Sequence, residues 1–318
     1  MLRLAPAFSG LIALAVFLLA HLGLVLRVEL VLTWFYPIVW WSYIFMFDAV
    51  VWRRTGASLI WDNGRRFWLM AWWSAAIWLI FEVFNLRLEN WWYHDIPAAR
   101  WQRWPGTIIA FATVVPLLAV TERLLASFGL FDRLRTSTRS VTPGFLRNFQ
   151  IAGGAMLLAA LAVPRYAFPL VWGGAFFLID PVNYRAGAPS LLREWVRGSP
   201  GRTFRLLLAG LIAGLLWELW NFWATARWSY TVPFVGEWKI FEMPILGFLG
   251  FPPFALEAFA LYQFFCRPWG AGIWPPQAPP ARRPAPWLAW VTAGVSAGFS
   301  VAALWAIEQH TILSFAPP

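Results

Sequence analysis

Residues 214–223 read Gly-Leu-Leu-Trp-Glu-Leu-Trp-Asn-Phe-Trp, residues 227–234 read Arg-Trp-Ser-Tyr-Thr-Val-Pro-Phe, and residues 241–257 read Phe-Glu-Met-Pro-Ile-Leu-Gly-Phe-Leu-Gly-Phe-Pro-Pro-Phe-Ala-Leu-Glu. Two carboxylates, Glu218 and Glu257, thus stand inside apolar runs long enough to cross a bilayer. A weaker copy comes earlier: Ile-Phe-Glu-Val-Phe-Asn around Glu82, Trp-Trp-Tyr-His-Asp-Ile-Pro at 91–97, and Val-Val-Pro-Leu-Leu-Ala-Val-Thr-Glu ending at Glu122. The pattern is that of a duplicated membrane protein carrying repeated polar groups.

Composition agrees. The 318 residues are 60% hydrophobic and 13% charged, against roughly 25% charged in soluble domains. The net charge of +10 is almost all arginine, Lys239 being the only lysine. Because the arginines fall between apolar spans, anionic headgroups and topology explain them better than nucleic acid, and no nucleic-acid partner is expected. Cys266 is the sole cysteine, which excludes a thiolate cluster, and His21, His94 and His310 are scattered, so neither a metal site nor a cofactor is expected.

Apolar runs lie at about 7–26, 30–52, 67–88, 106–127, 149–164, 166–180, 203–224, 241–266 and 287–307, each near the ~20 residues a spanning helix needs. The expected fold is all-α, a polytopic bundle of about nine spans. The first run is expected to be a true span, since no small-residue cleavage site follows it. Most arginines fall on one set of loops, which puts the N-terminus in the cytoplasm and the C-terminus outside a plasma (inner) membrane.

Internal similarity divides the chain. Tyr36-Pro37-Ile38-Val39-Trp40 matches Phe168-Pro169-Leu170-Val171-Trp172, and both runs lead to an aspartate, Asp48 and Asp180. Trp52-Arg53 and Tyr184-Arg185, then Ser58-Leu59 and Ser190-Leu191, keep the register; Glu82 and Asn85 align with Glu218 and Asn221. Two parallel four-span repeats follow, 1–135 and 145–268, then a stiff Pro-rich linker at 269–286 and a C-terminal span at 287–318.

Glu82 and Glu218 each come fifteen residues into their runs (from Phe67 and Thr203), roughly 22 Å along a helix, in the outer third of the membrane. Asn85 and Asn221, three positions on, share their face. A glutamate in an apolar setting beside an amide is a proton donor or a hard-cation ligand; equally, Glu and Asn tie neighbouring helices together. Asp48 and Asp180 read most simply as helix-end ion pairs with Arg53 and Arg185. Glu122 and Glu257 follow Pro116 and Pro252-Pro253, so 241–253 is expected to be re-entrant or a half-helix lining a site, or else a kinked span. Trp91, Trp92, Trp101 and Trp104 read as interfacial anchors. Trp78, Trp217, Trp220 and Trp228 are candidates for the wall of a pocket for a flat or polyunsaturated ligand.

The order acid, Trp228-x-Tyr230, short loop, Met243-Pro244, then an aromatic and Pro-rich span resembles integral membrane carotenoid enzymes, the carotenoid hydratases and heterodimeric-type lycopene cyclases. It covers about fifty residues of each repeat; where the cyclases carry paired acids after the proline, this chain has Ile245-Leu246. The resemblance implies that Glu218 protonates a double bond and that Tyr230 and nearby tryptophans stabilise the cation. Three functions stand open: an enzyme acting on a lipid or isoprenoid through Glu82 and Glu218, a proton- or cation-coupled transporter, and a lipid- or pigment-binding subunit serving a membrane partner or homo-oligomer. No nucleotide motif or nucleophile elbow is present.

Overall fold

The computed structural model describes residues 4–234, 236–270, 272–275 and 285–316. Arg3 and most of the Pro-rich linker, including Arg282 and Arg283, lie outside the described residues.

The chain is helical almost throughout. The helices are α1 (Ala5–Val25), α2 (Glu29–Thr55), α3 (Arg65–Leu88), α4 (Arg100–Phe111), α5 (Val114–Ser127), α6 (Pro143–Ala162), α7 (Pro164–Ala167), α8 (Val171–Arg185), α9 (Leu191–Val196), α10 (Gly201–Trp223), α11 (Phe251–Cys266) and α12 (Pro286–His310). Four short strands interrupt them: β1 (Trp91–His94), β2 (Arg227–Tyr230), β3 (Lys239–Ile240) and β4 (Met243–Pro244). Eight stretches among the described residues are long and apolar enough to cross a membrane: α1, α2, α3, α4 with α5, α6, α10, Ile245–Trp269 and α12.

The apolar run at 166–180 is not among the eight. It folds as α7, a 3₁₀ turn at Phe168–Leu170, and the 15-residue α8, whose first turn is broken at Trp172 and Gly173. Gly173 has φ 121°, a conformation closed to residues with a Cβ. The stretch 241–253 is β4 and a 3₁₀ segment (Ile245–Gly250), with regular α-helix only from Phe251. Its start is irregular, and Ile245–Trp269 taken together is long and apolar enough for one crossing, so both the half-helix and the kinked span stay open.

Breaks in the bundle are repaired by side chains, as a low-dielectric surround demands. Between α4 and α5 the Ser74 hydroxyl donates to Phe111 O (2.7 Å) and accepts from Val115 N (2.9 Å). At the α8 break, Glu257 Oε1 accepts from Ala175 N (2.7 Å), so a carboxyl group on α11 caps the helix that restarts there.

Asp48 and Asp180 correct the ion-pair reading. Both are buried, Asp48 accepting from Ser58 Oγ and Leu59 N (2.6 Å), and Asp180 from Ser190 Oγ (2.8 Å), Leu191 N (3.1 Å) and Leu192 N (2.9 Å). Arg185 turns instead to Gln150 Oε1. The aspartates win amides because the chain folds straight back onto each helix end, leaving donors that only a carboxylate within reach can satisfy.

Small residues bring helices close. A Cβ on Gly153 of α6 would lie 2.5 Å from Leu178 N of α8, and one on Gly214 of α10 would lie 2.1 Å from the Phe251 ring. The core is aromatic: Trp40, Trp73, Phe67, Phe81, Phe254 and Phe259 are wholly buried. α12 packs on α3, and its Glu308 holds Arg103 (2.9 Å) and Arg100 (2.6 Å) beside α4. Beyond α12 the chain lies parallel to β1, with Tyr93 N donating to Thr311 O (2.8 Å) and Leu313 N to Tyr93 O (2.8 Å).

Candidate functional site

The site is built at the C-terminal ends of α3 and α10, each of which carries a glutamate and, three residues on, an asparagine. Asn85 donates through Nδ2 to Trp91 O (2.8 Å) and accepts at Oδ1 from Asn90 N (2.9 Å) and Trp91 N (3.2 Å). Asn221 does the same for the second strand, donating to Trp228 O (2.8 Å) and accepting from Trp228 N (2.9 Å). An amide offers both a donor and an acceptor, so one side chain closes both backbone groups of the strand's leading tryptophan. Each clamp fixes where its strand begins and therefore which side chains face inward.

β1 and β2 then pair with each other, antiparallel, with Trp91 opposite Tyr230 and Tyr93 opposite Trp228. Alternation along a strand sends Trp91, Tyr93, Trp228 and Tyr230 to the inner face. On the outer face His94 Nε2 meets Ser229 Oγ (2.7 Å), and Trp92 Nε1 donates to Thr231 Oγ1 (3.0 Å).

Beneath the inner face sit the two acids, both with zero exposure. Glu82 Oε1 accepts from Tyr93 OH (2.6 Å), Trp78 Nε1 (2.8 Å) and Trp91 Nε1 (3.1 Å). Glu218 Oε1 accepts from Tyr230 OH (2.7 Å), which in turn accepts from Trp228 Nε1 (2.6 Å). Glu218 Oε2 has no partner among the described residues. Burial first, and then the neighbouring glutamate, push the Tyr93 and Tyr230 phenols well above the usual tyrosine range. Both hydroxyls therefore keep their protons throughout the physiological range.

The inner faces of β1 and β2 form part of the wall of a cavity of about 530 Å³. Tyr36 and Pro37 of α2, Trp172 at the α8 break, Trp217 of α10, and Phe251 and Phe254 of α11 contribute to the rest. Leu246 and Leu249, 60% and 69% exposed, border it on the Ile245–Gly250 segment, so its rim there is apolar. Ile307 and Ile312, either side of the end of α12, also line it. A space of this size and lining suits an apolar guest that a few hydroxyls orient.

Of the residues picked out in the sequence, Trp78, Trp217, Trp228 and Tyr230 reach the cavity wall. Glu82 and Glu218 stand one layer behind it, reaching it through Tyr93 and Tyr230. Asn85 and Asn221 position the strands. Trp220 packs in the core, its ring 4.6 Å from that of Trp40. Glu257 is the α8 cap. Glu122 lies apart, bound to Arg205 Nε (2.8 Å) and Trp274 Nε1 (3.1 Å), so no hydrogen bond among the described residues joins it to Glu257. Among the described residues no three His, Cys, Asp or Glu side chains converge as a metal would require.

Tyr93, Tyr36 and Trp172 are among the wall residues that the sequence reading does not pick out. Trp91 also moves from membrane anchor to wall, being 5% exposed and bonded to Glu82. The repeated spacing Trp91-x-Tyr93 and Trp228-x-Tyr230, each after a Glu and an Asn, was the available signal. In comparison with known proteins, no family model, curated protein or solved structure matches this chain.

Proposed function

We propose that the protein holds an apolar lipid chain of the isoprenoid kind in the aromatic cavity, and that a buried Glu–Tyr pairing on its wall exchanges protons with it. One observation carries this reading: on the wall of a mainly aromatic and aliphatic cavity, which also carries Arg103, Arg227 and Asn90, the hydroxyls of Tyr93 and Tyr230 are each backed by a buried carboxyl group. Such a pair supplies a proton at one fixed point of a water-poor space, which is what acid–base chemistry on a polyene needs. Because the acids stand behind the wall, any proton reaches the guest by way of a phenol.

The same proposal takes the chain as two parallel four-span units and a ninth span, α8 being a broken crossing. The recurrence of the Asp–Ser staple and of the Asn strand clamp in both units supports it. The N-terminus is placed in the cytoplasm and the cavity at the outer side of the plasma membrane, from the distribution of arginine.

Mass spectrometry of lipids retained by protein purified from its own membrane tests the binding. An isoprenoid enriched with the wild type and depleted about tenfold in Trp172→Ala is expected, one lost wall residue being worth ~1.4 kcal/mol or more. Ordinary phospholipid in equal amounts from both proteins would sink the reading.

A further inference from the structure

The two acids are a matched pair in sequence but not in surroundings. Glu82 has three side-chain donors on it, two of them indoles that can only give a proton and the third the Tyr93 phenol. Glu218 has one, and its second oxygen is buried bare. Two differences produce this: the Trp91 indole reaches Glu82 whereas that of Trp228 goes to the Tyr230 hydroxyl, and one helix position is not shared. Trp78 stands four residues before Glu82, one helical turn away, and donates to it; four residues before Glu218 stands Gly214. Phe251 fills the space that a larger residue at 214 would need.

The strands differ too. β1 lies between β2 and the 311–316 segment, and the backbone of Tyr93 is bonded on that far side at both N and O. Among the described residues β2 pairs with β1 alone and is an edge strand. Tyr93 is thereby held from both sides, while Tyr230 is held from one. Tyr230 is also the one that accepts from an indole as well as donating to its glutamate, so its hydroxyl is already in a two-bond chain, Trp228 to Tyr230 to Glu218. The titratable groups facing Glu218 are Tyr230 from β2, Tyr36 from α2 and Glu242 from the turn before β4.

We infer that the duplicated acids have divided their work: Glu82 is a fixed anchor for β1, and Glu218 with Tyr230 is the proton-exchanging pair of the cavity. A carboxylate with three donors is satisfied in its ionised form. A buried carboxyl with one hydrogen bond and a bare oxygen costs less when it carries a proton. In the exchange the Tyr230 hydroxyl turns from Glu218 to the guest, gives its proton to a basic atom or double bond there, and takes the proton held on Glu218, which is left as carboxylate; the reverse order restores it. This rests on the proposed function for its guest, but the proton on Glu218 does not.

Infrared spectroscopy of the full chain in phosphatidylethanolamine–phosphatidylglycerol vesicles, with no guest added, reads it directly. Glu257, which also accepts one hydrogen bond and has a bare buried oxygen, contributes to the protonated-carboxyl absorption of the wild type; the component assigned to Glu218 is expected to disappear in Glu218→Gln, survive in Glu82→Gln and Glu257→Gln, and move in Tyr230→Phe as its hydrogen bond is lost. Trp78→Phe, which keeps a ring but removes a donor from Glu82, is expected to add a further such component. Where Glu218→Gln fails to fold, Tyr230→Phe alone decides, because it leaves the carboxyl in place. A band that follows Glu82, or none that responds to either Glu218→Gln or Tyr230→Phe, overturns the assignment. Failure to retain an isoprenoid would defeat the cavity reading and leave this band untouched.

Discussion

Tyr93 stands directly opposite Trp228 across the β1–β2 pair, so each half of the chain places its phenol against the other half's indole. Neither strand would be stable alone, since an isolated two-stranded pair is marginal at best. What holds this one is the helix end beneath each strand, through Asn85 and Asn221, and the buried acid that each tyrosine finds. The pairing joins residues far apart in sequence, from Trp91 and Tyr230, 139 apart, to His94 and Arg227, 133 apart.

The register is open to a direct check on the outer face. In a Cys266→Ser background, His94→Cys with Arg227→Cys is expected to form a disulfide on mild oxidation, because opposed residues in such a pair lie ~4.5–5.5 Å apart at Cα. The control His94→Cys with Ser229→Cys, two positions out of register, is expected to cross-link far less. Mass spectrometry of the tryptic fragments distinguishes the two, and equal yields would contradict the pairing.

Removal of the strand clamps is expected to destabilise unequally. Asn85→Ala strips three hydrogen bonds and Asn221→Ala two, all to buried or half-buried backbone groups. At about 1 kcal/mol for each bond, and more for a donor left unmet, losses of roughly 3 and 2 kcal/mol are expected. Thermal unfolding in detergent should order the proteins as wild type, Asn221→Ala, Asn85→Ala.

The Arg103–Glu308 contact fastens α12 to the rest of the bundle. Arg103 is 6% exposed, and Pro97 O and Ala98 O take its other bonds, so Glu308→Ala strands a buried guanidinium at a cost of about 3 kcal/mol or more. Arg103→Met together with Glu308→Met is expected to recover much of that loss. Protease cleavage within the linker before α12 should accelerate in the single variant and return towards the wild-type rate in the double one. Additive losses would argue against a direct pair.

Alkaline pH is expected to loosen the site. Tyr93 and Tyr230 have folded-state affinities for their protons above that of an unfolded phenol, which ionises near pH 10. Their contribution to stability is complete below that pH and falls away as pH rises beyond it, since the unfolded chain then releases protons that the folded chain retains. Tyr93→Phe/Tyr230→Phe should flatten the decline of stability measured between pH 9 and 11, values chosen to bracket an ordinary phenol at about 10. An unchanged slope would show that other groups govern it.

Orientation can be mapped with single cysteines in the same Cys266→Ser background. Ser140→Cys and Glu237→Cys are both at exposed positions on loops at opposite ends of the proposed topology. An impermeant maleimide added to whole cells is expected to label Glu237→Cys and to spare Ser140→Cys until the membrane is opened. The opposite result would invert the map.

The amino-acid sequence by itself determined the membrane class, the positions of most helices and the recurrence of an acid and an amide at one end of α3 and α10. These are legible because hydropathy and helical spacing are local properties of a chain. Its apolar runs concealed the rest. In a lipid-facing protein a broken helix such as α8 is as hydrophobic as an intact one, so only the fold disclosed that Gly173 opens it and that Glu257 closes the gap. Which donors reach Glu82 and Glu218, and whether a tryptophan near them anchors at a headgroup or walls a cavity, depend on strands that meet across more than a hundred residues. Only tertiary structure decides such contacts, because a buried hydrogen bond is set by which surfaces are brought together and not by the neighbours that precede and follow a residue in the chain.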